Sequence, residues 1–293
     1  MSYIDSIKKD GENLIIEPYN GENLKVINTE PLSPIDRNSD IIRICFLDLE
    51  TTGLIAKDSI PIEIAMKVVE FDKTSGKLIK AVAEYESYND PGLSIESHIT
   101  KLTGITDDMV RGENISWMEV EKLIQLSQLT IAHNAKFDRA FIDKYIDVKA
   151  VWACSQKDIN WMNRGFSKIG LELLCAWHGF YFEAHRAMND VNATINLIAH
   201  SSYNDNSPLI ELISNSKKPI FRIVNNFPYN KDHINLIKNR DKRYYYDPNS
   251  KSWIIDINDE VDAENERVWL ENNIYKGGFR GEIKKISIFD RYK

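Results

Sequence analysis

Cysteine is scarce in this chain. Cys45, Cys154 and Cys175 are odd in number and far apart, so they form neither a disulfide framework nor a zinc spacing with one another. Long apolar runs are missing too. None approaches the roughly 20 residues needed to cross a bilayer, so no membrane partner is expected. The opening Met1-Ser2-Tyr3-Ile4-Asp5-Ser6 lacks a basic stretch followed by an apolar one, and no signal peptide is predicted. Together these absences point to a cytoplasmic protein. A positive charge balance is also lacking. The net charge is −7, which at first argues against a nucleic-acid partner. The charge is uneven, however. From Lys217 to Lys251 there are nine basic and three acidic residues, a net +6, so the remainder carries −13. A carboxylate-rich metal site also counts as acidic when its cations are left out.

What is present is ordinary for a globular protein. The chain is 43% hydrophobic and 28% charged, which excludes extended disorder. Its 293 residues suffice for one full core and a smaller second unit. The most informative stretch is Ile41-Ile42-Arg43-Ile44-Cys45-Phe46-Leu47-Asp48-Leu49-Glu50-Thr51-Thr52-Gly53. It has the length and β-branched content of a buried strand. Strand side chains alternate between faces, so Asp48 and Glu50 project from the same one. Two carboxylates on one face of a buried strand repel each other and lose hydration. A divalent cation held by oxygen ligands is the simplest compensation.

Two further constellations carry acids. His133-Asn134-Ala135-Lys136-Phe137-Asp138 follows the apolar Leu129-Thr130-Ile131-Ala132, and His185-Arg186-Ala187-Met188-Asn189-Asp190 precedes a helical stretch. Taken alone, Asp138 or Asp190 in a first helical turn reads equally well as a helix cap. In this order, with a His five residues before the last Asp, Asp48-x-Glu50, Asp138 and Asp190 resemble the three motifs of the DEDDh (DnaQ-like) 3′–5′ exonucleases. That family includes the proofreading subunit of bacterial DNA polymerase III and many free-standing enzymes. The resemblance runs from about Ile41 to His200 and takes in Leu102-Thr103-Gly104-Ile105-Thr106, similar to the family's substrate-side loop. The stretch from Trp152 to His185 is most similar to free-standing bacterial members. Cys154-Ser155 stands where the proofreading subunit usually carries Asp-Thr.

The resemblance implies a role for each position. Asp48, Glu50, Asp138 and Asp190 would hold two divalent cations, Mg²⁺ or Mn²⁺, with Asp48 as the shared ligand. His185 would be the general base, a task suited to an imidazole, which titrates near neutrality. Backbone groups of Thr51 and Thr52 would hold the terminal sugar, and Leu54 would wedge against its base. Leu102, His133, Asn134 and Phe137 are further substrate-side candidates, with Phe137 equally readable as core. The expected activity is removal of nucleotides from the 3′ end of DNA, single-stranded by preference. An exoribonuclease stays open, since discrimination by the 2′-OH depends on pocket shape. So does a non-catalytic nucleic-acid-binding or polymerase-docking module.

Element patterning predicts an α/β architecture. Strands are expected at 41–49, 61–71, 78–88, 128–132 and near 150–153, with helices at 94–102, 116–127, 135–146, 168–178 and 188–200. The resemblance makes this a ribonuclease-H-like mixed five-stranded sheet flanked by helices. Ahead of it, residues 1–40 are expected to hold a β-hairpin over 13–27, turned at Asn20-Gly21, and a polar connector. The exonuclease domain is placed at 41–202, a linker at 203–216, and a small α+β domain at 217–293. In that last domain, Tyr244, Tyr245, Tyr246 and Trp253 beside Arg240, Lys242 and Arg243 form either a stacking platform for single strands or the hairpin side of a small core. The unit is similar to appendages of some free-standing exonucleases, and its Arg243–Trp253 segment resembles a module of some DNA-annealing helicases. Replication or repair proteins are candidate partners through it. Gln125-Leu126-Ser127-Gln128-Leu129 superficially matches a clamp-binding peptide, but it runs into a buried strand and is rejected.

Overall fold

Ile41–Thr51 forms the central strand, β1. Its alternation sorts side chains cleanly. Ile42, Ile44 and Phe46 enter one apolar cluster, and Cys45, Leu47 and Leu49 enter the cluster on the opposite face. The computed structural model describes residues 8–26, 32, 39–203, 206–241, 243–248 and 250–293. β2 (Pro61–Asp72) lies antiparallel beside β1, and β3 (Leu78–Tyr88) antiparallel beside β2. β4 (Leu129–Ala132) and β5 (Trp152–Cys154) extend the other side in parallel. The order β3-β2-β1-β4-β5 makes the expected mixed five-stranded sheet.

Helices cover both faces. α1 (Trp117–Gln125) and α2 (Ala135–Ile142) cover the Cys45 face through Val120, Leu123, Phe141 and Ile142. α3 (Leu171–Trp177), α4 (Ala187–Ile198) and α5 (Pro208–Ser216) cover the Phe46 face through Leu174, Val191, Ile195 and Leu209. Burying each such side chain contributes about 1.5–3 kcal/mol.

Two expectations are corrected. The N-terminal hairpin pairs Lys8–Asp10 with Asn13–Ile15 and turns at Gly11-Glu12, not at Asn20-Gly21. Gly21 does take a left-handed conformation (φ 73°), but it opens a 3₁₀ turn over Glu22–Leu24. Tertiary contacts decide this. Leu24 is fully buried in the main core and its carbonyl accepts from Lys67 Nζ at 3.1 Å. Glu17–Pro18 pairs in parallel with Phe180–Tyr181. The polar connector over 28–40 lies largely outside the described residues. The second correction concerns 203–216, which contains the nine-residue helix α5. Leu209, Leu212 and Ile213, at i, i+3 and i+4, are buried in the main core. Asn204 and Asp205 lie outside the described residues.

The chain clusters into one unit reaching Ser214, with Tyr292–Lys293, and a second spanning Asn215–Arg291. The second unit runs β6 (Ile220–Asn225), α6 (Lys231–Arg240), β7 (Tyr245–Asp247), β8 (Ser252–Ile257), α7 (Glu260–Leu270) and β9 (Glu282–Ile286). Its antiparallel sheet has the order β7-β8-β6-β9. Phe221, Ile223, Ile255, Ile257 and Leu270 make its core. The Asn230 and Asp259 side chains cap α6 and α7 by accepting from the first-turn amides. Among the described residues, no helix is long and apolar enough to cross a membrane.

Candidate active site

Asp48 and Glu50 keep the parity of Phe46, so they emerge on the face covered by α4. α4 begins at Ala187 and carries Asp190 in its first turn. Carboxylate oxygens of Asp48, Glu50 and Asp190 lie within 4.8 Å of one another. Asp138, buried in the first turn of α2, stands outside this trio, but its charge reaches Asp48. Residues from three elements, the outermost 142 positions apart in sequence, are thus brought together.

The cluster is electrostatically costly without a counter-charge. Burial holds the Asp48 carboxyl well above the ordinary carboxylate range, and Asp190, Asp138, Glu50 and Glu63 push it further. Burial, with Asp190 next, raises Glu50 to about 8. Burial raises Asp138 to about 8, although its own amide and that of Leu49 oppose the shift. Asp190 rises to about 7 by burial, opposed by the backbone of His185 and Arg186. Asp138 Oδ1 and Asp190 Oδ2 are buried and accept no hydrogen bond among the described residues. Orphaned acceptors of this kind demand a partner. An all-carboxylate donor set fits hard divalent cations such as Mg²⁺ or Mn²⁺ better than soft ones.

One residue that sequence reasoning passed over organises this corner. Glu63 sits on β2 directly opposite Glu50 and is 0% exposed. It accepts from Arg186 Nη2 at 2.9 Å, from Arg186 Nε at 3.2 Å and from the Ala187 amide at 2.9 Å. Arg186 Nη2 also donates to the Tyr88 hydroxyl at 2.5 Å, and Tyr88 is the β3 neighbour of Glu63. The row Glu50–Glu63–Tyr88 therefore crosses three strands and pins the start of α4. The available signal was an acid inside the apolar Ile62-Glu63-Ile64. His185 is the residue before this anchor. It is half-buried, has a left-handed backbone (φ 64°) and makes no side-chain hydrogen bond among the described residues. Left-handed backbone in a bulky residue is uncommon and persists only where neighbours impose it.

The substrate-side candidates divide. Thr51 is buried and its hydroxyl donates to the Gly53 carbonyl at 2.7 Å. Thr52 bonds Ile60 through both its amide and its hydroxyl. A Cβ on Gly53 would lie 2.7 Å from Ser59 Oγ, so close approach explains this glycine. Lys144 Nζ donates to the Ala56 and Ser59 carbonyls and holds the loop. From that pinned loop Leu54 projects 85% exposed. Leu102 is also exposed, on a helix ended by left-handed Gly104, while Ile105 beyond it is fully buried. His133 is already engaged: Nδ1 meets Ser155 Oγ at 2.9 Å and Nε2 the Ile169 carbonyl at 3.0 Å. Burial pushes its imidazole down to about 4. Ser155, of the departing Cys154-Ser155 pair, thus supports His133. Asn134 is exposed with φ 89°. Phe137 packs against the core beside Phe141, at 5.0 Å between ring centroids.

Comparison with known proteins bears on the family of the chain. The model of the RNase T family, described as exonuclease, matches residues 45–198. A DNA polymerase III of PolC type from Streptococcus suis is 31% identical over 169 residues, covering 55% of this chain and 11% of that protein. The same polymerase type from Listeria welshimeri is 36% identical over 101 residues, covering 34% and 6%. The chain therefore spans only a small part of the length of these curated relatives. A solved structure of exonuclease I is 16% identical with a TM-score of 0.49, over 85% of this chain and 63% of that one. The family match covers more than half of the chain and contains Asp48, Glu50, Asp138, His185 and Asp190, and on it the chain belongs to the RNase T exonuclease family.

Proposed function

We propose that this protein is a metal-dependent 3′–5′ exonuclease that trims single-stranded DNA from its 3′ end. The observation that carries the proposal is the pair of buried, unpartnered oxygens, Asp138 Oδ1 and Asp190 Oδ2, within a four-carboxylate cluster. Asp48, Glu50, Asp138 and Asp190 would hold two divalent cations. When bound, such cations neutralise phosphate charge, make water acidic enough to attack and stabilise the leaving oxygen. His185 would take the proton from the attacking water, since its imidazole makes no side-chain hydrogen bond among the described residues and it precedes the first turn that carries Asp190. Leu54, held out by the pinned loop, would press against the terminal base, with Thr51 and Thr52 shaping the backbone that meets its sugar. DNA is favoured as substrate because the two curated relatives named above are DNA polymerases.

The test is degradation of matched DNA and RNA oligomers labelled at the 5′ end, with Mg²⁺, with Mn²⁺ and with EDTA. A ladder of products shortened from the 3′ end, lost in EDTA and in Asp48→Ala, is expected. Faster loss of RNA would reassign the substrate. Cleavage undiminished in Asp48→Ala would end the metal assignment.

A further inference from the structure

The second unit carries an aromatic-walled cavity of about 520 Å³, lined by Phe227, Tyr229, Tyr246, Trp253, Lys251 and Asn226 among others. Its size falls within the range of small-molecule sites, about 300–1,000 Å³. Strand register explains which aromatics reach it. Tyr246 on β7 and Trp253 on β8 are direct partners and share the helix-covered face. Their rings lie 5.5 Å apart at 53°. Tyr245 pairs with Ile254 and takes the opposite face. Tyr244 is buried and donates to Glu266 Oε1 at 2.8 Å, so it belongs to the core. Tyr229, in the loop after β6, is 85% exposed, and Tyr246 is 48% exposed. Grouped around one cavity, these rings form an exposed aromatic patch, the kind of feature that marks an interaction site where a lone exposed ring does not.

Cations accompany the rings. Lys238 Nζ lies 5.2 Å from the centre of the Trp253 ring. Lys251 forms the rim and is itself exposed. Neither lysine makes an ion pair among the described residues, whereas Arg222, Arg240 and Arg243 are each bound to an acid. Both lysines fall in the +6 stretch from Lys217 to Lys251 of an otherwise acidic chain. Flat faces with adjacent unpaired cations match an unpaired nucleobase with its phosphate.

We infer that this cavity is an accessory site for single-stranded nucleic acid, taking an unpaired base between Tyr229 and the Tyr246–Trp253 pair with a phosphate on Lys251. Its lining residues belong to the second unit and the carboxylates to the first, so the inference does not depend on the catalytic reading.

The test is binding of a long labelled oligothymidylate by the full chain in EDTA, where no cleavage is scored. Tyr229→Ala removes an exposed ring without touching the core. It should weaken binding about 5- to 100-fold, as for loss of one stacked base. Lys251→Glu should lower the slope of log Kd against log[KCl] by about 0.7, one phosphate contact on a single strand. Trp253→Phe should bind nearly as the parent, and Trp253→Leu should not. Unchanged affinity in Tyr229→Ala and Lys251→Glu would overturn the site. So would an equal loss on blunt duplex DNA, whose bases are already stacked. A protein inactive as a nuclease can still pass this test, so the two readings fail separately.

Discussion

Glu63 holds Arg186 through two nitrogens and the Ala187 amide through its second oxygen. One buried carboxylate thereby fixes the first turn of α4, and with it Asp190, from the strand that neighbours Asp48. Such supporting partners tune metal sites as strongly as the ligands' own geometry. Glu63→Gln keeps the shape and removes the charge. It should raise the Mn²⁺ concentration needed for half-maximal activity by about 10- to 100-fold. Titration of activity against Mn²⁺ reads this directly, and an unshifted curve would reduce Glu63 to a structural residue.

The same pair predicts an asymmetry in stability. Glu63 is wholly buried, whereas the Arg186 side chain is 36% exposed. Arg186→Ala strands a buried carboxylate, but Glu63→Gln leaves an arginine that reaches water. Removing one partner of a buried pair costs about 3–5 kcal/mol. Arg186→Ala should approach that figure in urea unfolding, and Glu63→Gln should cost clearly less. The reverse order would mean that the charge on Glu63 is itself a burden.

The carboxylate cluster makes stability depend on pH in the metal-free protein. Glu50 and Asp138 stand at about 8 and Asp190 at about 7 when folded, against about 4 for unfolded carboxyls. A raised folded value means the folded state binds more protons than the unfolded chain. Its contribution is full below about pH 4 and is lost as pH rises through about 7–8. In EDTA, Asp48→Asn should therefore gain stability over the parent as pH rises from 5 to about 8.5. Saturating Mg²⁺ should erase or reverse the gap, because it stabilises only the intact cluster. Urea midpoints for both proteins, with and without Mg²⁺, decide it.

His185 offers a sharper test of chemistry. His185→Ala should reduce kcat by about 10²–10⁴ and leave KM nearly unchanged, as for loss of a general base. A raised KM with intact kcat in single-turnover cleavage would make it a substrate-binding residue instead.

Much of this was legible in the sequence because it is local. The run from Ile41 to Glu50 declares a strand by its own alternation, and the helices that bear Asp138 and Asp190 follow from their periodicity. What escaped depends on distant partners. Glu63 reads as one acid in an apolar strand until the β1–β2 register sets it opposite Glu50 and beside Arg186. Asn20-Gly21 carries the chemistry of a hairpin turn, but burial of Leu24 in the main core outweighs it. Three consecutive tyrosines, Tyr244 to Tyr246, look alike in sequence. Strand pairing puts Tyr245 and Tyr246 on opposite faces, while burial beside Glu266 gives Tyr244 to the core.

The stretch taken for a linker yields the last prediction. Polar residues around 201–208 suggest a boundary, but Leu209 and Leu212 behind them are 0% exposed in the main core. Gly76 (φ 69°) packs closely on Ser207, and the Ser207 hydroxyl accepts the Leu209 amide at 3.2 Å, which seats the helix start. A chain cut after Ser207 loses α5 and uncovers that face. A chain cut after Ser216 keeps it, and both lose Tyr292–Lys293 equally. Deleting a buried leucine side chain costs about 2–5 kcal/mol, and the shorter chain loses two leucines and Ile213. Chain 1–216 should unfold cooperatively and degrade short oligonucleotides, while chain 1–207 should unfold at markedly lower urea or fail to accumulate as folded protein. Equal urea midpoints for the two would show that α5 adds nothing to the core it covers.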